Sequence, residues 1–237
     1  MKKLILSITW LCLFQGISYA QLEGEWTFYP RPGLELRMII EKKKMTTTGR
    51  DSDQSRQFSI IKKTPTRLIT KNKQQGYYQV FDYRIVNDGK ELKLFPYMYF
   101  ETKEDMNNVL ENYQAKSYDD LFEISLYSQD YMKEIEAMKS LDSITKTDLM
   151  SMLDFRTPFG KKVEDFLNDK NNQREELRSN RDIFRMFRTK MYEQLVIMGY
   201  NPYKEFEGDP FTKFDDDPDV QKALNSFDDI SFDFSGN

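Results

Sequence analysis

The chain has 237 residues, 35 of them basic and 39 acidic, with a net charge of −4 and no histidine. The absence of histidine excludes Ser-His-Asp and Cys-His catalysis, histidine-ligated zinc and any histidine general base. The acidic balance argues against nucleic-acid binding, which requires a basic surface. With 18 Phe and 14 Tyr, the chain has the apolar content of a folded protein.

The first twenty residues have the pattern of a secretory signal peptide. Lys2 and Lys3 form a positive start, residues 4–14 are apolar apart from two hydroxyl residues, and small residues lead to a cleavage point after Ala20. A membrane-spanning helix needs roughly 20 apolar residues, and about eleven are present. We therefore predict that the signal peptide is removed and that the mature chain is periplasmic or extracellular.

Cleavage after Ala20 changes the chemistry of the chain. Cys12 is the only cysteine and lies in the removed segment, without the small neighbours of a lipoprotein signal, so the mature chain has no disulfide. Removing Lys2 and Lys3 leaves 33 basic residues against 39 acidic ones, a net charge of −6. Secreted eukaryotic domains often rely on disulfides, so their absence favours a bacterial envelope protein. No transmembrane span is predicted after cleavage.

Residues 21–100 are predicted to form an antiparallel β-barrel or curled sheet. Leu36, Met38 and Ile40 recur with a period of two, which indicates a strand. Similar short runs bring the number of predicted strands to six. The polar segment 46–57 is predicted to be a connecting loop.

The last predicted hairpin of this region is marked by its turn. Residues 87–90 read Asn-Asp-Gly-Lys, and Asp-Gly accepts the positive φ angles that a tight hairpin requires. Pro96 in the returning strand indicates an edge or a bulge, because proline has no N–H to donate. One further strand is expected later in the chain, where Phe122, Ile124 and Leu126 alternate with polar residues.

A short family motif stands at the start of the predicted sheet. Gly24 and Trp26 form a Gly-x-Trp sequence just after the predicted cleavage point, and residues 22–100 resemble the lipocalins and the bacterial lipocalin-like (calycin-type) secreted proteins. The resemblance implies an eight-stranded barrel, a small apolar ligand in its interior and a structural Trp26 that closes one end. Two features depart from the family: six strands are predicted instead of eight, and a large helical region replaces the single terminal helix.

Residues 101–200 are predicted to be mainly helical, because the apolar side chains change to helical spacing. Thr102 and Asp105 resemble a capping box at the start of the first helix. Further helices are predicted at about 131–138, 148–153, 159–167 and 173–198. Thr147 is expected to cap the second of these, and Gly199 is expected to end the last.

The last predicted helix carries five arginines on one face. They are Arg174, Arg178, Arg181, Arg185 and Arg188. At about 100° per residue they fall within an arc of roughly 80°. Such a row suits a phosphate, a lipid headgroup or an acidic partner. Two other interpretations stay open: a solvated face that pairs locally with acidic neighbours, and a docking surface for the C-terminal tail.

Residues 201–237 form an acidic tail in which aspartates lie among phenylalanines. Asp215, Asp217 and Asp219 have the spacing of the first three ligands of a calcium-binding loop. Val220 stands where that loop requires glycine, and Ser226 stands where it requires glutamate. We therefore predict no metal site in the tail and no cofactor.

No group of residues in the sequence nominates a catalytic site. A Gly-rich phosphate loop and a Gly-x-Ser-x-Gly elbow are both missing, and nothing places two carboxylates across a cleft. The sequence therefore favours a binding or interaction module of the bacterial envelope, with a small apolar ligand if the barrel is lipocalin-like. The alternative is a protein-assembly partner that uses its helices or tail to bind an envelope protein. A hydrolase that works without histidine is the third hypothesis.

Overall fold

The computed structural model describes residues 22–31, 33–49, 55–113, 119–169, 180–204 and 208–228. These residues belong to two compact units. The first unit is mainly β-structure and the second is mainly helical, so the protein has an α+β fold, as predicted. The predicted signal peptide lies outside the described residues, and its cleavage stays a prediction.

Eight antiparallel strands close into a barrel in the first unit. They are β1 (Gly24–Arg31), β2 (Leu34–Ile40), β3 (Lys44–Gly49), β4 (Arg56–Lys63), β5 (Arg67–Asn72), β6 (Tyr78–Val86), β7 (Glu91–Phe100) and β8 (Ile124–Ser128). Each strand pairs with the next one along the chain, and β8 returns to pair with β1, with Trp26 opposite Ser128. Closure of the barrel removes the unpaired edges that an open sheet would expose.

The barrel has two more strands than the six predicted from residues 21–100. Strand β3 covers residues 46–49 and strand β4 covers residues 56–57, so the prediction of a loop over 46–57 is wrong at both of its ends. The three threonines at 46–48 look like loop residues by polarity, but threonine is β-branched and favours a strand paired on both sides. Strand β8 confirms the further strand expected around Ile124 and Leu126.

Successive side chains of a strand point to opposite faces of the sheet, and those that point inward build the barrel core. Its buried members are Leu22, Trp26, Ile40, Met45, Phe58, Leu68, Phe81, Tyr83, Leu92, Leu94 and Leu126. Burial of one such side chain contributes about 1.5–3 kcal/mol. Every strand supplies at least one of them, so the hydrophobic core holds all eight strands together.

The Gly-x-Trp motif lies at the start of β1. Gly24 has φ 148°, in the region that favours glycine. Trp26 is 3% exposed, and its indole Nε1 donates a hydrogen bond to the carbonyl oxygen of Leu22 at 3.1 Å. The buried indole thereby fixes the residues that lead into the first strand.

Gly24→Ala is expected to destabilise the barrel by about 1–3 kcal/mol through backbone strain alone. A Cβ at this position would meet no atom within 4 Å, so no steric clash contributes. Denaturant unfolding of the mature chain measures the change, with the exposed Lys42→Ala as the control. Equal stability of the two variants would show that the backbone conformation at position 24 does not require glycine.

Strands β6 and β7 are joined by the predicted hairpin turn. Asp88 has φ 52° and Gly89 has φ 87°, which confirms the turn at residues 87–90. The register of the two strands shifts between Gln79 and Phe81, and Phe81 pairs with Pro96. The irregularity that Pro96 indicated therefore lies within the hairpin, and β7 continues beyond it.

Helix α1 (Lys103–Asn112) packs on the outer surface of the barrel. Thr102 caps it by accepting a hydrogen bond from the backbone N–H of Asp105 at 3.1 Å, as the sequence predicted. Met106 of α1 is buried in one cluster with Ile69 and Val80. These contacts show that Ile69 and Val80 face outward from β5 and β6.

Helix α2 (Gln129–Glu136) follows β8, and its residues are divided between the two units after Met132. The second unit contains α3 (Lys146–Asn168), α4 (Asn180–Ile197) and α5 (Pro218–Asp228). It also holds a short parallel pair of β9 (Lys139–Ser140) and β10 (Tyr200–Asn201). Helices therefore make up most of the described residues between 101 and 200, and the strands there are β8, β9 and the first residue of β10.

Two hydrophobic clusters hold the second unit together. One includes Phe159, Val163, Phe166, Ile183 and Met186, so it joins α3 to α4. The other includes Leu149, Met152, Leu153, Leu195 and Val220, so it joins α3 to α4 and α5. Residues 218–228 of the predicted acidic tail thus form a helix packed on its neighbours.

Helix α3 replaces two shorter predicted helices, so the prediction of a break between residues 153 and 159 is wrong. Pro158 lies inside the helix and costs it a backbone hydrogen bond, about 3 kcal/mol in an isolated helix. The burial of Phe159, Val163 and Phe166 on the same helix offsets that cost. The N-cap is Thr145 in a capping box, not Thr147 as predicted.

Asp148 is expected to contribute to the acid sensitivity of the second unit. Hydrogen bonds from Thr145 and from the Tyr200 hydroxyl, the latter at 2.7 Å, hold the pKa of the Asp148 carboxyl below its ordinary value. A carboxyl with a lowered folded-state pKa stabilises the fold above its unfolded pKa of about 3.9, and that contribution is lost as pH falls through the folded pKa.

Asp148→Asn is therefore expected to flatten the loss of stability below about pH 4. Denaturant unfolding followed by far-UV circular dichroism at pH 5 and pH 3 measures the effect. The exposed Asp154→Asn on the same helix is the matched control. An acid dependence that is the same in both variants would contradict the role assigned to Asp148.

Candidate ligand cavity in the barrel

The barrel holds a cavity of about 470 Å³ that is open to solvent on one side. Most of the wall is apolar: Phe28, Met38, Met45, Phe58, Phe81 and Leu126 all line it. The same residues belong to, or pack against, the barrel core. The cavity is therefore continuous with the hydrophobic interior and is not a recess of the outer surface.

Strand alternation positions the cavity wall. On β3, Met45 lies in the barrel core, so Thr47 and Gly49 share its inward face, and all three line the cavity. On β2, Met38 packs against the core in the same way. The cavity lies where β2 and β4 begin and β3 ends, since Leu36, Gly49 and Arg56 all line it.

Three aromatic rings form one side of the cavity. The ring centroid of Phe58 lies 6.5 Å from that of Tyr77, and Tyr77 lies 5.3 Å from Tyr99, both pairs edge to face. Asn72 holds this side in place: its Nδ2 donates to the Tyr77 hydroxyl oxygen at 3.3 Å, and its Oδ1 accepts the Gln74 N–H. Tyr99 is 66% exposed, so the aromatic side extends from the core to solvent.

Two arginines lie along the cavity. Arg37 pairs with Glu35 and, at 3.3 Å, with Glu25, and the hydrogen bond to Glu35 raises the pKa of its guanidinium. Arg56 is exposed at the start of β4. Both charges are therefore solvated at the surface. Among the described residues that line the cavity no other side chain is charged, and Gln79 contributes a neutral amide.

A second recess, of about 410 Å³, lies outside the barrel between β4, β5 and α1. Its wall includes Lys62, Arg67, Lys103 and Glu111. Arg67 already forms an ion pair with Asp82 of the neighbouring strand. Ile61, Ile69, Met106 and Leu110 also form part of the wall, so this recess is a surface groove of mixed charged and apolar character.

The structure places the predicted site residues in different ways. Gly24 and Trp26 lie at the start of β1, as described above. Arg174 and Arg178 lie outside the described residues, and so does the side chain of Arg181. Arg185 is exposed on α4 and Arg188 is half-buried. Only two of the five predicted arginines therefore have described side chains, and binding of an anion or of the tail to this row stays a prediction.

The described part of the tail has a partner other than the arginines. Asp217 and Asp219 form ion pairs with Lys146 at 2.9 and 2.7 Å, next to the N-terminus of α3. No group of three or more acidic or sulfur ligands suited to a metal ion occurs among the described residues. Within the same residues, no helix is long and apolar enough to cross a membrane.

The sequence did not single out Gln79 or Tyr99 as site residues. Their strands were predicted. The depth of the cavity, however, depends on the sizes of side chains from several strands, and the sequence of one strand does not show which of them leave space unfilled. One signal was present: Gln79 shares the inward face of β6 with Phe81 and Tyr83. A polar residue on an otherwise apolar inward face is a candidate for contact with a ligand.

No known protein family, curated protein or solved structure matches the chain. The class of protein is therefore defined by the fold and the cavity: an α+β protein with a closed eight-stranded antiparallel barrel.

Proposed function

We propose that the protein is an exported binding module of the bacterial envelope and that its barrel holds a small apolar ligand. The cavity of about 470 Å³ inside the barrel carries this proposal. Ligand sites are clefts of about 300–1,000 Å³ with mostly apolar walls and a few polar groups. The barrel cavity has this size and this character.

The physical basis of binding is removal of apolar surface from water. Each square ångström of apolar surface that is buried contributes about 25 cal/mol. The aromatic side formed by Phe58, Tyr77 and Tyr99 gives a flat wall on which a ring or a chain can lie. A ligand that fills the interior would also replace the packing contacts that an unfilled cavity lacks.

Two features of the sequence support export and a lipocalin-like character. Residues 1–20 have the charge, length and small residues of a cleaved signal peptide. Gly24 and Trp26 begin the first strand of an eight-stranded barrel, which is where lipocalin-like proteins carry the same motif. The extended helical unit is the feature in which this chain departs from that group.

Fluorescence titration of the mature chain, residues 21–237, with N-phenyl-1-naphthylamine tests the binding function. This uncharged dye fluoresces in apolar surroundings. We expect one saturable site per chain with a dissociation constant on the order of 10 μM. Emission that rises without saturation, or a stoichiometry far from one, would contradict a defined site. Native mass spectrometry of the same sample distinguishes a ligand carrier from an assembly partner, which would give a defined oligomer.

A further inference from the structure

Two oxygen atoms in the first unit are buried without a hydrogen-bond partner in the described part of the chain. They are Oγ1 of Thr70 and Oε1 of Gln79. Thr70 is 0% exposed and Gln79 is 7% exposed. Buried polar atoms in folded proteins nearly always have a partner, because an unmade hydrogen bond leaves their desolvation uncompensated.

The two residues are direct neighbours across the sheet. Thr70 of β5 pairs with Gln79 of β6, and directly opposite Cβ atoms in an antiparallel pair lie about 4.5–5.5 Å apart. The two unpaired oxygens therefore form one polar patch in the sheet, where Gln79 lines the cavity and Thr70 lies directly beside it.

This polar patch faces the interior of the barrel. Ile69 and Val80, the chain neighbours of the pair, pack outward with α1. Leu68 is two residues from Thr70 on β5, and Phe81 is two residues from Gln79 on β6. Both Leu68 and Phe81 lie in the barrel core. Alternation therefore directs the pair inward, and Gln79 lines the cavity.

We propose that Thr70 and Gln79 anchor the polar end of the ligand, and that the ligand is an amphipathic molecule with a neutral hydroxyl group. This inference rests on the proposed binding function. The amide oxygen of Gln79 only accepts hydrogen bonds, so the ligand must donate one. The Thr70 hydroxyl both donates and accepts, so a ligand hydroxyl satisfies both residues at once.

The rest of the cavity fits the remainder of such a molecule. From the anchor, the wall continues through Phe58 and Met38, which suit an alkyl chain or a fused ring. The charged residues along the cavity, Arg37 and Arg56, are exposed at the surface, and Arg37 is already paired with Glu35. A neutral hydroxyl is therefore favoured over a carboxylate, whose oxygens would be repelled by Oε1 of Gln79.

Competition between two matched ligands tests the anchor. We would displace N-phenyl-1-naphthylamine from the mature chain with 1-nonanol and with 1-methoxyoctane, which have the same number of heavy atoms. Both contain one acceptor oxygen, but only the alcohol donates a hydrogen bond. We expect the alcohol to bind about tenfold more tightly.

Gln79→Met removes the acceptor while it keeps a side chain of similar length, and it is expected to abolish the preference for the alcohol. Gln75→Met changes the same residue type on the exposed β5–β6 connection and is expected to keep the preference. Thr70→Val keeps the side-chain shape without the hydroxyl, and it gives a second variant if Gln79→Met folds poorly. We expect Thr70→Val to reduce the preference as well.

The outcomes separate the anchor from the binding function. Equal affinity of the unaltered chain for alcohol and ether overturns the anchor, because the two oxygens are then satisfied without the ligand. A preference that survives in Gln79→Met overturns it as well. If the dye itself does not bind, the proposed function fails before the anchor is tested.

Discussion

Trp26→Ala is expected to lower the free energy of unfolding of the barrel by about 3–5 kcal/mol. The side chain is 3% exposed and packs in the barrel core, so the substitution leaves a cavity in addition to the lost apolar burial. It also removes the indole donor to the Leu22 carbonyl, which secures the chain before β1. Denaturant unfolding of the mature chain measures the change.

Trp26→Phe separates the two contributions. Phenylalanine keeps most of the apolar volume but has no N–H, so we expect a loss of about 1–2 kcal/mol. A Trp26→Ala variant as stable as Trp26→Phe would mean that packing of the indole is unimportant. The structural role given to Trp26 would then be wrong.

Thr47→Trp is expected to weaken binding of an apolar ligand by about tenfold or more, because the ring would occupy the cavity. Thr47 lines the cavity on the inward face of β3, between Met45 and Gly49. Tryptophan is compatible with a strand, so the barrel itself should remain folded. The same dye titration measures the change, and far-UV circular dichroism confirms the fold.

Thr46→Trp is the matched control for the cavity. Thr46 precedes Thr47 on the same strand and points to the opposite face, so an identical substitution should leave the interior unfilled. We expect this variant to bind the dye as the unaltered chain does. Equal weakening in both variants would place the dye outside the barrel.

Local patterns in the sequence were sufficient for much of the fold. Alternation at Leu36, Met38 and Ile40, the turn at residues 87–90 and the cap at Thr102 each depend on residues close in the chain, and each was predicted correctly. The late strand β8 was also found from its period of two. Secondary structure with a strong local signal is therefore readable without the tertiary fold.

The errors occurred where distant contacts outweigh the local signal. The sequence of strand β3 is rich in threonine, and its polarity is typical of a loop. Its pairing with β2 and β4 makes it a strand. Helix α3 continues through Pro158 because Phe159 and Phe166 are buried against other helices. In both cases the deciding energy comes from packing between segments far apart in sequence.

The cavity belongs to the same category. The inward face of β6 was predictable, but the empty space beside Gln79 depends on the sizes of side chains from β1 to β4 and β8. The pairing of Thr70 with Gln79 also requires the register of β5 on β6. A candidate site made by the interior of a barrel is thus visible only once all its strands are in place.

Methyl NMR of the mature chain with ¹³C-labelled methionines tests the central claim most directly, because methionines lie in both units. Met38 and Met45 line the barrel cavity, whereas Met152 and Met186 are buried among the helices of the second unit. Titration with N-phenyl-1-naphthylamine is expected to shift the methyl signals of Met38 and Met45 and to leave those of Met152 and Met186 unchanged. Shifts confined to the helical methionines, or no shift at saturating dye, would contradict a ligand site inside the barrel.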